Sequence, residues 1–281
     1  MDEISEEELL HLNERGIIPG PSESMDDFGK RVKSIELNES SIEEEKKLSW
    51  SDFDWARSTV SHLFDISPDW VEAYYSNKGL WFWQGAMTYM KFKKDSSVVI
   101  QMRENLKKGK YLYLYDKEEI LSHEVIHAAR MAFNEPKTEE LFAYWTSTSH
   151  FRKLFGPIFR RPLESNIFMS FLGFGISLQL FSPFIDSVYL LPLIQLANTL
   201  SLSMLTFCLF RLYRTRFKVN RALKKLTSIV DSKTIARSIL FRLTDKEIYF
   251  FAKASTSQIL KYIEKQNELR WKVINLAYFE K

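Results

Sequence analysis

Residues 165–210 form a run of 46 with a single formal charge, Asp186. A helix needs about 20 apolar residues to cross the hydrocarbon core of a bilayer. The run therefore predicts two crossings, residues 166–185 and 187–210, joined by a short turn near Pro183 and Asp186. Gln195 and Asn198 are expected to face the partner helix, and Gly173 and Gly175 to allow close approach. The competing reading, two buried helices of a large soluble core, requires helices without a charged face over an unusual length.

Upstream, residues 49–164 have a globular pattern that holds six of the seven tryptophans, whose large rings imply a packed core. Residues 98–102 read as a strand, Gly109 turns the chain, and the alternation of residues 111–115 predicts a second strand. Asp116 stands at an N-cap position before a helix running to about Phe133, which Asn134 and Pro136 end; another helix is expected from Thr138 to Ser147. After residue 225 the pattern predicts helices over 235–243, 246–254 and 259–277, with Asp231, Thr244 and Ser257 as caps. The first 48 residues predict two short helices around a rigid turn at 16–21, followed by an acid-heavy run over 36–47, and read as a solvated helical lid on the next domain.

Charge is distributed unevenly. Residues 1–50 hold 14 acids and 6 bases, whereas residues 151–281 hold 8 acids and 21 bases. Most of the basic excess flanks the apolar run, which favours lipid over nucleic acid as its partner. Arg152, Lys153, Arg160 and Arg161 precede the first span, and Arg211, Arg214, Arg216, Lys218, Arg221, Lys224 and Lys225 follow the second, while the connecting turn has no base. By the positive-inside rule both termini are expected in the cytoplasm. The acidic N-terminus does not read as a signal peptide, and the single cysteine, Cys208, leaves no disulfide framework or cysteine zinc site.

Ser122-His123-Glu124-Val125-Ile126-His127 holds the spacing that carries chemistry. Histidines four apart lie on one helix face, so their ring nitrogens converge on one ion, and Glu124 next to the first ligand reaches a water on that ion. A tetrahedral zinc then needs a further ligand, and two glutamates open the following helix: Glu140 is the first choice and Glu139 the second. Glu124-x-x-His127 is also the half-motif of di-iron bundles, but those sites need a second such motif together with two further helix glutamates, and this reading is not favoured. Arg130 is a candidate to support Glu140 or Glu139, with a salt bridge to Glu135 as the favoured structural alternative. Tyr144 and His150 are candidates for stabilising an oxyanion, and Asn77-Lys78-Gly79 reads as a turn before it reads as a substrate loop.

HExxH followed by a helix carrying Glu140-Leu141-Phe142-Ala143 resembles the gluzincin group of zinc metallopeptidases, over residues 123–144. The strand at 111–115 would match the edge strand that lines substrate in zincin folds. The resemblance implies that His123, His127 and Glu140 bind Zn2+ and that Glu124 acts as general base and then as proton shuttle to the leaving amine. Only about twelve residues separate His127 from Glu140, a shorter link than in larger members and one that fits compact versions.

The expected architecture is α+β: an acidic region (1–48), a small zincin-like metallopeptidase domain (49–164), a transmembrane helical hairpin (165–212) and a helical cytoplasmic C-terminal domain (213–281). The expected function is a membrane-anchored zinc metallopeptidase with its catalytic domain in the cytoplasm, a polypeptide substrate and the lipid bilayer as partner. Nucleic acid is not expected, and homo-oligomerisation is left open. The alternative is a non-catalytic membrane scaffold, or a metal-binding protein that keeps a zincin-like helix.

Overall fold

The structure, a computed structural model, describes residues 4–37, 44–91, 97–113, 115–184 and 188–280. Its fold is mixed α and β, with a small sheet and two long apolar helices. Strand β3 (Ser97–Met102) stands between β1 (Glu72–Tyr75), which runs parallel to it, and β2 (Ala86–Lys91), which runs antiparallel and forms one edge. Residues 98–102 are all buried, which is why this strand reads as an apolar run broken only by Gln101, whose amide donates to the carbonyls of Ser76 and Lys78. β1 and β2 carry no comparable sequence signal.

The alternation at residues 111–115 does not make the predicted strand. Lys110–Tyr111 (β4) and Tyr115–Asp116 (β5) form a two-residue hairpin pair, and Leu112 and Tyr113 between them take φ of 51° and 55°. A left-handed backbone cannot continue an extended strand. Leu114 lies outside the described residues.

Helices α1 (Glu6–Glu14) and α2 (Met25–Glu36) flank the expected turn at 16–21. Leu9, Leu12, Ile17, Phe28 and Val32 bury themselves together with Val273 in a small cluster. These helices do not form a lid over the groove described below, since no residue of 4–37 lines it. Of the acid-heavy run, residues 38–43 lie outside the described residues and Glu44–Lys46 form a single 3₁₀ turn.

Helix α4 (Lys117–Arg130) packs on β2 and β3 and against both α3 (Asp54–Phe64) and α5 (Glu139–Trp145). Their buried side chains share one contiguous cluster with those of α8 (Leu190–Val230), α9 (Lys233–Phe241), α10 (Asp245–Lys253), α11 (Thr256–Glu264) and α12 (Leu269–Tyr278). The span expected to be helical over 259–277 is thus two helices, and Ser255 rather than Ser257 caps the first of them. Thr244 caps α10 as expected, in a capping box with Glu247, while Asp231 turns left-handed and passes the cap of α9 to Ser232.

The apolar run gives α7 (Pro162–Phe181), preceded by α6 (His150–Phe155), and the first half of α8. Both α7 and α8 are long and apolar enough to cross a membrane. They lie antiparallel: Arg211 pairs with Glu164, and Gln179 Nε2 donates to Asn198 Oδ1 at 3.3 Å. Gly175 makes the close approach, with Ala197 and Asn198 directly against its backbone, whereas Gly173 faces open space and Gln195 points outward. Residues 185–187, including Asp186 of the expected turn, lie outside the described residues. α8 continues without a break through the basic segment to Val230, burying Leu212, Thr215, Val219, Ala222 and Leu226 along one stripe.

Phe64 is the centre of the aromatic core. It has no exposed surface, and its ring lies 4.4 Å from Phe241 and 6.0 Å from both Phe142 and Trp145. Phe64→Ala should therefore cost about 3–5 kcal/mol, read as a fall in the urea midpoint of the solubilised protein; a loss under about 1 kcal/mol would contradict this packing.

Candidate metal centre

The helix that carries the motif starts where the sequence places it. Asp116 caps α4 by accepting the Glu118 backbone N–H at 3.0 Å, and Glu118 and Glu119 complement the positive end of the helix. At the other end a 3₁₀ turn (Met131–Phe133) leads to Asn134 in the left-handed conformation, which reverses the chain. The start of α5 is then fixed from a distance: Thr138 Oγ1 donates to Asp245 Oδ1 at 2.7 Å and the Lys137 N–H to Oδ2 at 3.1 Å. α5 is thereby brought back alongside α4, with its first turn facing the two histidines.

Among the described residues, His123, His127 and Glu140 form the group of His, Cys, Asp or Glu side chains whose donor atoms converge. His123 Nε2 and His127 Nε2 are 3.2 Å apart, and the Glu140 carboxylate lies 3.6 Å from the first and 3.5 Å from the second. Donors about 2.0–2.1 Å from a tetrahedral ion are about 3.3 Å from one another. The three side chains have that spacing without any rearrangement.

Glu139, the reserve ligand, takes a different position. His127 Nδ1 donates to Glu139 Oε1 at 2.7 Å, so that once the ring is neutral it is the lone pair of Nε2 that faces the centre. A carboxylate on the outer ring nitrogen is the usual way a metal-binding imidazole is oriented. Glu124 points into the same space: it is 8% exposed, and the Thr88 hydroxyl on β2 donates to its Oε2 at 2.6 Å.

The two rings differ in proton affinity because the carboxylates act on one and burial prevails at the other. Burial opposes a charge on His127, but Glu140, Glu139 and Glu124 outweigh it and push its pKa up to about 10. Burial, together with the neighbouring His127 charge, holds His123 well below the ordinary imidazole range. Glu140 is pushed up to about 7 by burial, against the His127 charge and with the repulsion of Glu124 and Glu139. Burial likewise raises Glu124, against the opposing pull of His127 and the Thr88 hydrogen bonds.

The centre lies at the floor of a groove. A cavity of about 420 Å3 extends to one side and one of about 370 Å3 to the other, and both are lined by Gln84, Ala86, His123, Glu124, Glu140 and Pro162. They are two halves of one channel, with β2 as one wall and the segment leading into α7 as the other.

The remaining candidates divide. Tyr144, one turn after Glu140, lines the groove with its ring edge-on to His123 at 4.6 Å, and a Cβ on Gly156 would overlap that ring. Burial, with the nearby Glu140 charge, keeps its phenol protonated well beyond the ordinary range. His150 is exposed at the start of α6 and belongs to neither half of the groove. Arg130 has no exposed surface and donates to the carbonyls of Phe241 and Leu243 rather than to Glu135, Glu139 or Glu140. The turn at 77–79 lies outside the groove as well.

Two contributors escaped the sequence. Thr88 sits on a strand without a periodic signal and reaches Glu124 only through the fold. Arg152 pairs with buried Glu119, whose carboxylate also accepts the Thr148 N–H, and it lines the groove beyond Tyr144. Compared with protein-family models, curated proteins and solved structures, the chain matches none.

An ion entering the triad must displace the proton on His127 and part of that on Glu140. Zn2+ titration at pH 7, followed by calorimetry in buffers of different ionisation enthalpy, should release about one to two protons per ion, with affinity rising about 10- to 100-fold per pH unit between about pH 6 and 8. Affinity that is flat over that range would contradict the arrangement. Glu139→Ala should weaken zinc binding by about 10- to 100-fold without removing a direct ligand, read by competition with a chromogenic chelator.

Proposed function

We propose that the chain is a membrane-anchored zinc metallopeptidase of zincin-like, gluzincin type. The observation that carries this reading is the spacing of His123 Nε2, His127 Nε2 and the Glu140 carboxylate, 3.2 to 3.6 Å apart, with Glu124 beside them in a through-going groove. Three protein ligands leave a coordination position free, which distinguishes a catalytic zinc from a closed structural one. Zinc held there supplies an acidified water and a Lewis acid for the scissile carbonyl.

The chain's own groups supply the rest. Glu124, buried and held by Thr88, accepts a proton from the attacking water and returns it to the leaving amine. Its raised proton affinity suits both halves of that transfer. The Tyr144 hydroxyl is the donor available to a developing oxyanion on the α5 side of the groove. β2 holds the substrate: the Gly85 carbonyl accepts the Arg103 N–H, so by antiparallel alternation Ala86 and Thr88 turn their own N–H and C=O groups away from β3 toward the groove. An extended peptide pairs with such an edge.

The apolar lengths of α7 and α8 support a two-span hairpin. Arg152, Lys153, Arg160 and Arg161 before α7, with Arg211, Arg214, Arg216 and Lys218 at the end of the apolar part of α8, support a cytoplasmic site for the body and both termini.

Glu124→Gln should lower peptide hydrolysis by about 10²- to 10⁴-fold while leaving about one zinc per chain. The joint substitution His123→Ala and His127→Ala should lose the metal. Undiminished hydrolysis by the Glu124→Gln protein at constant zinc content would sink the assignment.

A further inference from the structure

The groove does not end on the soluble body. Pro162, Ser165, Phe168 and Met169 of α7 line its larger half, together with His123 and Glu124. The Arg211–Glu164 ion pair marks the polar beginning of the apolar hairpin. At 1.5 Å per residue, Phe168 and Met169 lie about 6 to 8 Å beyond Glu164, within the apolar length. Only 6% of that length is buried.

The rim of this half is apolar on both walls. Opposite α7, Trp83 lines the groove and carries Trp81 and Phe82 against it, at ring separations of 5.1 and 4.7 Å. Trp81 is 55% and Phe82 64% exposed. On the α7 side, Phe151, Leu154 and Phe155 of α6 are 70%, 49% and 37% exposed, immediately before the groove-lining Gly156 and Phe159. Exposed apolar side chains next to groove-lining residues on both walls call for a cover. Their continuity with α7 identifies it, because aromatic side chains collect at the headgroup level and the exposed Arg161, in the same cavity wall, is a cation for lipid phosphates.

We infer that the mouth of this half-groove is seated in the bilayer interface, and that the chain it receives is the juxtamembrane stretch of another membrane protein. The first clause rests on α7 and α8 as membrane spans; the second rests on the peptidase reading as well. A polypeptide fits the interior better than a lipid, because the β2 wall presents backbone groups at Ala86 and Thr88 that an extended chain satisfies. Since Met169 and His123 line one cavity, a chain leaving the bilayer reaches the triad within a few residues at about 3.3 Å each.

Two readouts on the full-length protein in phosphatidylcholine vesicles separate the clauses. Phe82→Cys, Phe151→Cys and Leu37→Cys, each in a Cys208→Ser background, are labelled with an environment-sensitive fluorophore; Leu37 is 70% exposed but belongs to neither half of the groove. Brominated phosphatidylcholine should quench the labels at positions 82 and 151 and spare that at 37. Equal quenching at the three positions, or none at 82 and 151, overturns the docking. A co-reconstituted single-span reporter with a randomised tail on the side of the body is then mapped by mass spectrometry. Cuts should cluster within about ten residues of the span, the extended reach of the groove. Cuts spread evenly along the tail, or equal cleavage of the same tails as free peptides, overturn the substrate class and leave the peptidase reading standing. Absence of any cut from a zinc-loaded protein overturns the peptidase reading and the substrate clause together, while the quenching still decides the docking.

Discussion

The C-terminal end of α9 is the point on which the body hangs. A helix leaves its last carbonyls without partners and its negative dipole end exposed, and here that end is buried. Arginines supply the donors: Arg130 of the motif helix donates to the carbonyls of Phe241 and Leu243, and Arg270 of α12 to that of Arg242. Arg242 itself reaches back to the carbonyls of Phe64 and Asp65 and to the side chain of Asn13. None of the three arginines is more than 1% exposed, so each must keep its partners or carry an unpaired charge in the interior. One helix terminus thus ties the motif helix, the N-terminal helices and the C-terminal bundle into a single arrangement.

Around the triad the electrostatics favour a dication. Glu124, Glu139 and Glu140 crowd the imidazole of His127 and raise its proton affinity, burial and the repulsion of the other two glutamates raise Glu140, and burial with the His127 charge lowers His123. A bound cation would relieve the repulsion among the carboxylates and take over the role of the His127 proton.

Much of this was legible in local pattern. The cap at Asp116, the four-residue spacing of the histidines, the chain reversal at Asn134 and the apolar hairpin are set within one or two turns of chain, so sequence shows them. What sequence did not show depends on partners far along the chain. Arg130 read as a companion of the nearby glutamates, yet it is bound by carbonyls more than a hundred residues away, 111 in the case of Phe241. β2 was missed because an edge strand facing a groove has no apolar alternation to display. Residues 111–115 were misread for the converse reason: aromatic alternation mimics a strand, but the backbone at Leu112 and Tyr113 turns left-handed. Glu139 and Glu140 could not be ranked from spacing, since both open the same helix; only the direction of each carboxylate separates the ring nitrogen's outer partner from the converging donor.

α8 is unbroken over 41 residues, about 60 Å of helix. Its apolar half packs on α7, and its basic half packs on α9 and α10 within the body. A helix of this length behaves as a rod rather than a tether. Membranes of different thickness impose different tilts on their spans, and a change in the inclination of α8 would swing its far end against the helices whose termini hold Arg130 and Thr138. The helix that is apolar enough to cross a membrane is therefore also part of the packed core that holds the motif helix.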